Sequence, residues 1–195
     1  MAEIKNIIGI IAVALTFIGY VPYLRDVLSG KTKPHVYSWF LWGFVTFIAF
    51  GLQLSAGGGI GTFVTLAASI MCISVFILGI TRKGKKDITA TDTVFFILGF
   101  VALGFWLIAK QPVISIILAT FIDLFAFIPT IRKSWNKPES ETLSLYFLST
   151  FRFMLALFAL QMYSFVTVLY PLAWVFGNGL FALMLYIRRK QITGK

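Results

Sequence analysis

Apolar stretches of membrane-spanning length fill almost the entire chain. A bilayer core about 30 Å thick is crossed by a helix of roughly 20 apolar residues, and hydropathy read on that scale places seven spans in the 195 residues. The predicted spans lie near residues 4–24, 36–55, 61–81, 91–109, 113–131, 143–163 and 165–187. With 59% hydrophobic and 12% charged residues, the composition is not that of a soluble domain. The sequence therefore predicts an all-α integral membrane protein.

Positive residues are distributed unequally between the two sides of this arrangement. The loops after spans 1, 3 and 5, together with the C-terminal tail, hold fourteen Lys and Arg residues, whereas the other side holds only Lys5 and Lys110. Because Lys and Arg are retained in cytoplasmic loops, we expect the N-terminus outside and the C-terminus in the cytoplasm. The net charge of +10 then reflects topology and needs no nucleic-acid partner. We expect the chain to lie in the lipid bilayer of a bacterial or archaeal inner (plasma) membrane.

A proline motif near the end of span 1 returns near the end of span 5. Pro22 lies three residues before Arg25, and Pro129 lies three residues before Arg132. A basic loop follows each copy and leads into the next apolar run. At an offset of 106 or 107 residues, the first three spans match the last three in register. The pattern indicates an internal repeat.

The span between the two copies determines their relative orientation. One extra span gives both triplets the same direction, so the repeat is parallel about an axis along the membrane normal. The sequence thus predicts a first three-helix repeat (1–86), a linker helix (87–111) and a second three-helix repeat (112–195).

Two charged residues are predicted inside the bilayer, Asp123 in span 5 and Arg152 in span 6. A lone charge at that depth costs at least about 2.5–3.5 kcal/mol, so each needs a partner or a wet cavity. One interpretation is an internal ion pair that joins the two helices. The other is a polar path, with Asp123 as a proton acceptor or ligand contact and Arg152 as its counter-charge or an anion contact.

Other polar and aromatic residues are candidates for a pocket or for anchoring. Asn178 follows Trp174 by four residues in span 7, so both can face one cavity, although Asn178 could equally bond a neighbouring helix. Trp39 and Trp42 open span 2, where anchoring at the headgroup level is favoured over contact with a ligand. His35, in the preceding loop, is expected to be solvated.

With these features the chain resembles the PQ-loop and SWEET-like superfamily of seven-helix transporters. The resemblance implies that Pro22 and Pro129 act as hinges or gates, although Tyr23 and Thr130 follow them where the strict motif has Gln. It also implies a pocket asparagine at Asn178. The equivalent position in span 3 is Met71, so a zwitterionic, charged or proton-coupled substrate fits as well as a sugar.

We therefore expect a transporter or facilitator of a small polar solute that works by alternating access, with proton coupling left open. The substrate-binding candidates are Asn178, Trp174, Asp123 and Arg152. The alternative is a seven-helix membrane receptor or trafficking factor that binds a peptide or protein ligand. No enzyme is expected, because no buried Ser, His and acid set, paired Asp or metal-ligand cluster is apparent, and no cofactor or metal is implied. The sequence leaves open whether the protein is a homo-oligomer.

Overall fold

The computed structural model of the protein describes residues 2–81, 90, 93–94, 97, 108 and 111–193. Within them the regular structure is helical, without strands. The long helices are α1 (Ala2–Leu28), α2 (Val36–Ser55), α3 (Phe63–Thr81), α4 (Pro112–Asn136), α5 (Leu143–Ala159) and α6 (Phe165–Thr193). Short 3₁₀ segments, Gly59–Thr62 and Pro138–Ser140, lie before α3 and α5. The prediction of an all-α chain is confirmed.

Five of these helices are long and apolar enough to cross a membrane: α1, α2, α3 with its 3₁₀ turn, α4 and α6. Helix α5 is also apolar but has only 17 residues. The predicted linker helix (87–111) falls outside the described residues, apart from a few isolated positions. The described helices correspond to the other six predicted spans, except that α5 ends at Ala159, short of the predicted end of its span at 163. Helices α1 and α6 continue several residues beyond the apolar part. Hydropathy marks the apolar length, whereas backbone hydrogen bonds carry a helix on into its polar ends.

Local sequence signals explain where several helices begin and end. Gly30, with φ +76°, follows the end of α1 in the left-handed region that favours glycine. Pro112 occupies the first turn of α4, where its missing N–H costs no hydrogen bond. His35 caps α2 by accepting a hydrogen bond from the backbone N–H of Ser38. Since His35 is only 2% exposed, the expectation that it is solvated was wrong.

The helices pack in two sets of three with the same internal order. In the first set α3 packs against both α1 and α2, while α1 and α2 scarcely meet. In the second set α6 packs against both α4 and α5, while α4 and α5 scarcely meet. The sets join mainly through two pairs, α1 with α5 and α2 with α4. The first and second helices of each set therefore form the interface between the sets.

Apolar and polar side chains are distributed as in a membrane protein. The outer face of α1 exposes Ile4, Ile10 and Ile18 to about the same high degree, 60–61%. Polar side chains, among them Thr16 and Asp123, are instead fully buried inside the bundle. An apolar surface around a polar interior suits a lipid environment, because polar groups placed in lipid would lack hydrogen-bond partners.

Candidate functional site

A cavity of about 40 Å³ lies inside the bundle, between helices of both sets. That volume suits a few water molecules or a very small solute. Aromatic and polar side chains dominate its lining. The lining residues are Tyr20, Trp39, Trp42, Thr46, Ala68, Cys72, Leu145, Tyr146, Ser149, Arg152, Phe153, Tyr170, Trp174 and Asn178. We call this space the central cavity.

Asp123 lies directly behind the cavity wall and is completely buried. Its Oδ2 accepts hydrogen bonds from Tyr170 Oη, from Trp174 Nε1 at 3.3 Å and from Thr46 Oγ1 at 3.4 Å. Trp42 Nε1 donates to the backbone carbonyl of Asp123 at 3.0 Å. The other carboxyl oxygen, Oδ1, is buried and has no hydrogen-bond partner among the described residues. Asp123 thus ties α4 to α2 and α6 and keeps one oxygen unused.

Arg152 reaches the cavity from α5 and is only 3% exposed. Its Nη1 donates to Thr16 Oγ1 at 3.2 Å and its Nε to Ser149 Oγ at 3.3 Å. The guanidinium carbon lies 5.5 Å from the ring centre of Tyr20 and 4.6 Å from that of Phe153, which suits cation–π attraction. All of these partners are neutral.

The ion pair considered from the sequence is not formed. Asp123 and Arg152 make no salt bridge with each other, and within the described part of the chain Arg152 makes none with any other acid. From their positions along the two helices, the sequence predicted that the side chains could come into contact. In the structure the Asp123 carboxyl group bonds to Trp174 and Tyr170, whereas the Arg152 guanidinium bonds to Thr16. Arg152 is therefore a buried cation without a counter-ion in these ranges.

Asn178 and Trp174 both line the central cavity, as their spacing of four residues predicts. The Asn178 side chain donates from Nδ2 to the backbone carbonyl of Trp174 at 2.8 Å. This bond stays within α6, so the alternative of a bond to a neighbouring helix is not what the structure shows. Tyr170 lies four residues before Trp174 and completes one stripe along α6. Sequence reasoning missed Tyr170, although the same spacing would have found it.

The tryptophans of α2 do not anchor at the headgroup level. Trp39 is 2% exposed and Trp42 is 4% exposed, and their rings meet edge to face at 5.0 Å. The expectation of membrane anchoring was wrong for both, because hydropathy places them near a helix end without showing which way they face. Their spacing with Thr46, at intervals of three and four residues, was the available signal for one buried face.

One end of the bundle carries the basic loop 29–35 and the loop 137–142, and a buried carboxylate closes it. Glu141 Oε1 accepts from Lys133 Nζ at 2.5 Å, while Oε2 accepts from Tyr146 Oη at 2.8 Å and from Tyr23 Oη at 3.1 Å. The side chains of Lys133 and Glu141 are 8% and 0% exposed. These four residues, the Glu141 cluster, join α1 of the first set to α4 and α5 of the second.

A second space lies on the outer side of this cluster. A groove of about 950 Å³ opens there, bordered by Glu141 together with Pro22, Lys31 and Arg189. Tyr146 borders the central cavity. The hydrogen bond between Tyr146 and Glu141 therefore separates the groove from the cavity.

The opposite end, with loops 56–62 and 160–164, is closed by close backbone contact. A Cβ placed on Gly61 would lie 2.7 Å from the carbonyl oxygen of Ala156 and 2.9 Å from the amide nitrogen of Leu160. Lys5 Nζ donates to the carbonyl oxygen of Leu160 at 2.7 Å. Gln53 Nε2 donates to the carbonyl oxygen of Thr167 at 3.2 Å. The two sets therefore meet at this end as well.

Pro22 and Pro129 lie inside α1 and α4, and each helix continues beyond its proline. Each is followed by a residue that bonds across the interface between the sets. Tyr23 donates to Glu141, and Thr130 donates to Ser38 Oγ at 3.3 Å. The hinge role stays a prediction, and these contacts place both prolines next to the interface.

The site contains side chains for polar recognition rather than a ready set of metal ligands. Among the described residues, no three His, Cys, Asp or Glu side chains are grouped as metal ligands would be. Comparison of the chain with protein families, curated proteins and solved structures gives no match. Its function has to be inferred from the geometry of the site.

Proposed function

We propose that the protein is a membrane transporter of a small polar solute and that it works by alternating access. The observation that carries the proposal is the central cavity, whose polar and aromatic lining residues come from helices of both sets. Buried ionisable groups are costly in a membrane and commonly mark a transport path. The state described here is then the occluded one, with the Glu141 cluster closing one end and the contact at Gly61 closing the other.

The packing of the helices supports a parallel internal repeat as the basis of the mechanism. The order α1, α3, α2 in the first set is matched by α4, α6, α5 in the second. In the proposed architecture a linker helix (87–111) completes seven spans, the N-terminus is outside, and the basic loops face the cytoplasm of a bacterial or archaeal cell. This is the plan of the PQ-loop and SWEET-like transporters that the sequence resembles.

Rocking of one set against the other would open the two ends in turn. Pro22 and Pro129 are suited to absorb the bending, because a proline removes one helical hydrogen bond. Both lie beside contacts that cross the interface. In this proposal the basic end opens when the Glu141 cluster separates.

Asp123 is the residue we assign to proton coupling. Its Oδ2 is held by three donors, whereas Oδ1 has no partner in the described part of the chain. A carboxyl group that changes its proton during the cycle would change its bonds to Tyr170 and Trp174. Since Trp174 also lines the cavity, occupancy of the cavity and the proton on Asp123 would be linked.

Uptake into proteoliposomes tests the proposal. The purified chain is reconstituted and presented with labelled carboxylates, sugars and amino acids, with and without an imposed pH gradient. We expect saturable uptake of at least one solute class, and Asn178→Ala to lower it. Ser74→Ala is the matched control, because Ser74 bonds only within its own helix on the exposed side of α3.

Two results would count against a transporter. One is the absence of both uptake and binding across the whole panel. The other is a stable complex with a protein or peptide, which would favour the receptor or trafficking alternative.

A further inference from the structure

We infer that the solute is a small monocarboxylate and that its carboxylate is the counter-ion of Arg152. The inference rests on the proposed transport function for its biological meaning. The binding site it describes can be tested without transport.

The charge of the central cavity points to an anion. Arg152 is the only formally charged residue among those that line the cavity, and arginine keeps its charge in proteins. Its hydrogen bonds go to the neutral hydroxyls of Thr16 and Ser149, and within the described part of the chain it forms no salt bridge. Asp123, another buried ionisable residue, directs its carboxyl group to Tyr170 and Trp174 instead. Among the described residues, the cavity lining therefore contains a cation and no anion.

Unused hydrogen-bond donors of the wall point in the same direction. Guanidinium carries five N–H donors, and the bonds of Arg152 to Thr16 and Ser149 engage its Nη1 and Nε. The indole Nε1 of Trp39, which lines the same cavity, is buried and likewise lacks an acceptor there. A carboxylate offers two oxygens in one plane, which matches the paired donors of an arginine. Arg152 and Trp39 together supply more donors than one oxygen atom can accept, so a ligand with two acceptor oxygens suits them better.

The remaining wall selects a carboxylate over an inorganic anion. Aromatic rings of Trp42, Phe153 and Trp174 border the cavity, and they would pack against a short alkyl group. Chloride or nitrate has no apolar part to bury there. The volume of about 40 Å³ excludes large solutes from this closed state, so the alkyl group is short.

Binding of propionate to the purified full chain tests the inference. Propionamide is the matched probe, because it has the same shape without the charge. Sodium chloride and sodium nitrate at equal ionic strength test inorganic anions. A ligand that binds only the folded protein raises its melting temperature with concentration, so we expect propionate to raise it and the other probes not to.

Variants of Arg152 and Trp39 test whether these two donors bind propionate. Arg152→Gln should weaken propionate binding by more than about tenfold, the usual loss for a charged hydrogen bond. Trp39→Phe keeps an aromatic ring and removes Nε1, and we expect about a three- to tenfold loss. If Arg152→Gln does not fold, Arg152→Lys and Trp39→Phe carry the test, since lysine keeps the charge but not the planar pair of donors. Ser74→Ala should bind propionate as the natural chain does.

The outcomes separate this inference from the proposed function. Equal stabilisation by propionate and propionamide, or by chloride, would overturn the carboxylate site. Uptake of a neutral solute without competition from propionate would also overturn it, while transport itself would stand. Arg152-dependent binding of propionate without flux of any solute would support the site and count against transport.

Discussion

Tyr170 of α6 donates its hydroxyl hydrogen to Oδ2 of Asp123 in α4, and the Thr46 hydroxyl of α2 lies 2.7 Å from the same tyrosine oxygen. Three helices from both sets therefore meet at one carboxyl group. These bonds hold the three helices together, which is a structural role for Asp123. They also connect its carboxyl group to Tyr170, a residue that lines the central cavity. An amide of the same shape would preserve the structural role but would not exchange a proton.

Replacing Asp123 with Asn separates proton exchange from shape. Asparagine keeps an oxygen that can accept from Tyr170 but cannot take up or release a proton at neutral pH. We expect Asp123→Asn to fold and to lose the response of solute uptake to an imposed pH gradient. Uptake with and without the gradient, together with the melting temperature, provides the measurement.

Tyr170→Phe is the partner variant for that experiment. It should retain the gradient response and lower the free energy of unfolding by about 1–3 kcal/mol, the range for a lost bond to a carboxyl group. An Asp123→Asn protein that still responds fully to the gradient would contradict proton coupling. Failure of Asp123→Asn to assemble would show that the carboxylate is needed for the fold.

Replacing Glu141 with Gln is expected to loosen the basic end. Lys133 would then be a buried cation without its carboxylate, a change that typically costs about 3–5 kcal/mol. Cys72, which lines the central cavity and is 6% exposed, reports the opening. We expect Glu141→Gln to speed the reaction of Cys72 with a small thiol reagent severalfold.

Glu139→Gln is the matched control for Glu141→Gln. Its carboxylate pairs with Arg189 at 3.5 Å but is 59% exposed, so little stability should be lost. Cys72 should react at the natural rate in this variant. Equal rates in both variants would show that the Glu141 cluster does not close the cavity.

Replacement by Ala is expected to have opposite effects on stability at Gly61 and at Gly51. In Gly61→Ala the new Cβ would press on the backbone at Ala156 in α5 and at Leu160 just after it, and we expect a loss of about 1–3 kcal/mol of stability from overpacking. In Gly51→Ala nothing lies within 4 Å of the new atom, so stability should stay equal or rise by up to about 1 kcal/mol. Melting temperatures in one detergent decide the matter. Similar losses at both positions would contradict the tight contact at Gly61.

Single cysteines test the predicted topology. In a Cys72→Ala background, Ser29→Cys lies beside a basic loop and Met162→Cys lies at the opposite end, where Met162 is 61% exposed. Because basic loops are retained in the cytoplasm, an impermeant thiol reagent added outside intact cells should label only Met162→Cys. Labelling of Ser29→Cys alone would reverse the orientation.

Pro129→Ala tests the hinge. Alanine restores a backbone N–H inside α4 and should stiffen the helix, so we expect slower uptake with unchanged solute binding. Pro112→Ala serves as the control, because Pro112 lies in the first turn of the same helix and breaks no helical hydrogen bond there. If both variants take up solute at the natural rate, Pro129 is not a hinge.

Apolar length alone predicted most of the described helices. The range 36–55 coincides with α2, and 165–187 falls inside α6. Each helix satisfies its own backbone hydrogen bonds, so a local count of apolar residues is sufficient to find it. The spacing of Trp174 and Asn178 also placed both residues in one cavity, because residues four apart share a face of a helix.

Contacts between distant segments could not be read in the same way. Hydropathy suggested headgroup anchoring for Trp39, yet the tertiary structure buries it beside Tyr23, with ring centres 5.0 Å apart. Nothing local marks Glu141 as the centre of a buried cluster, since its partner Tyr23 lies 118 positions away in the chain. Such partners become neighbours only when the two sets of helices meet.

Asp123 and Arg152 show which properties follow from the sequence alone and which depend on the tertiary structure. The sequence by itself determined that both would be buried ionisable groups in an apolar chain, because their flanking residues span a bilayer. Only the tertiary structure decided that they do not pair with each other. A charge accepts any partner within reach, and which partner it finds depends on the direction of the side chain and the rotation of its helix, which composition and spacing leave undetermined.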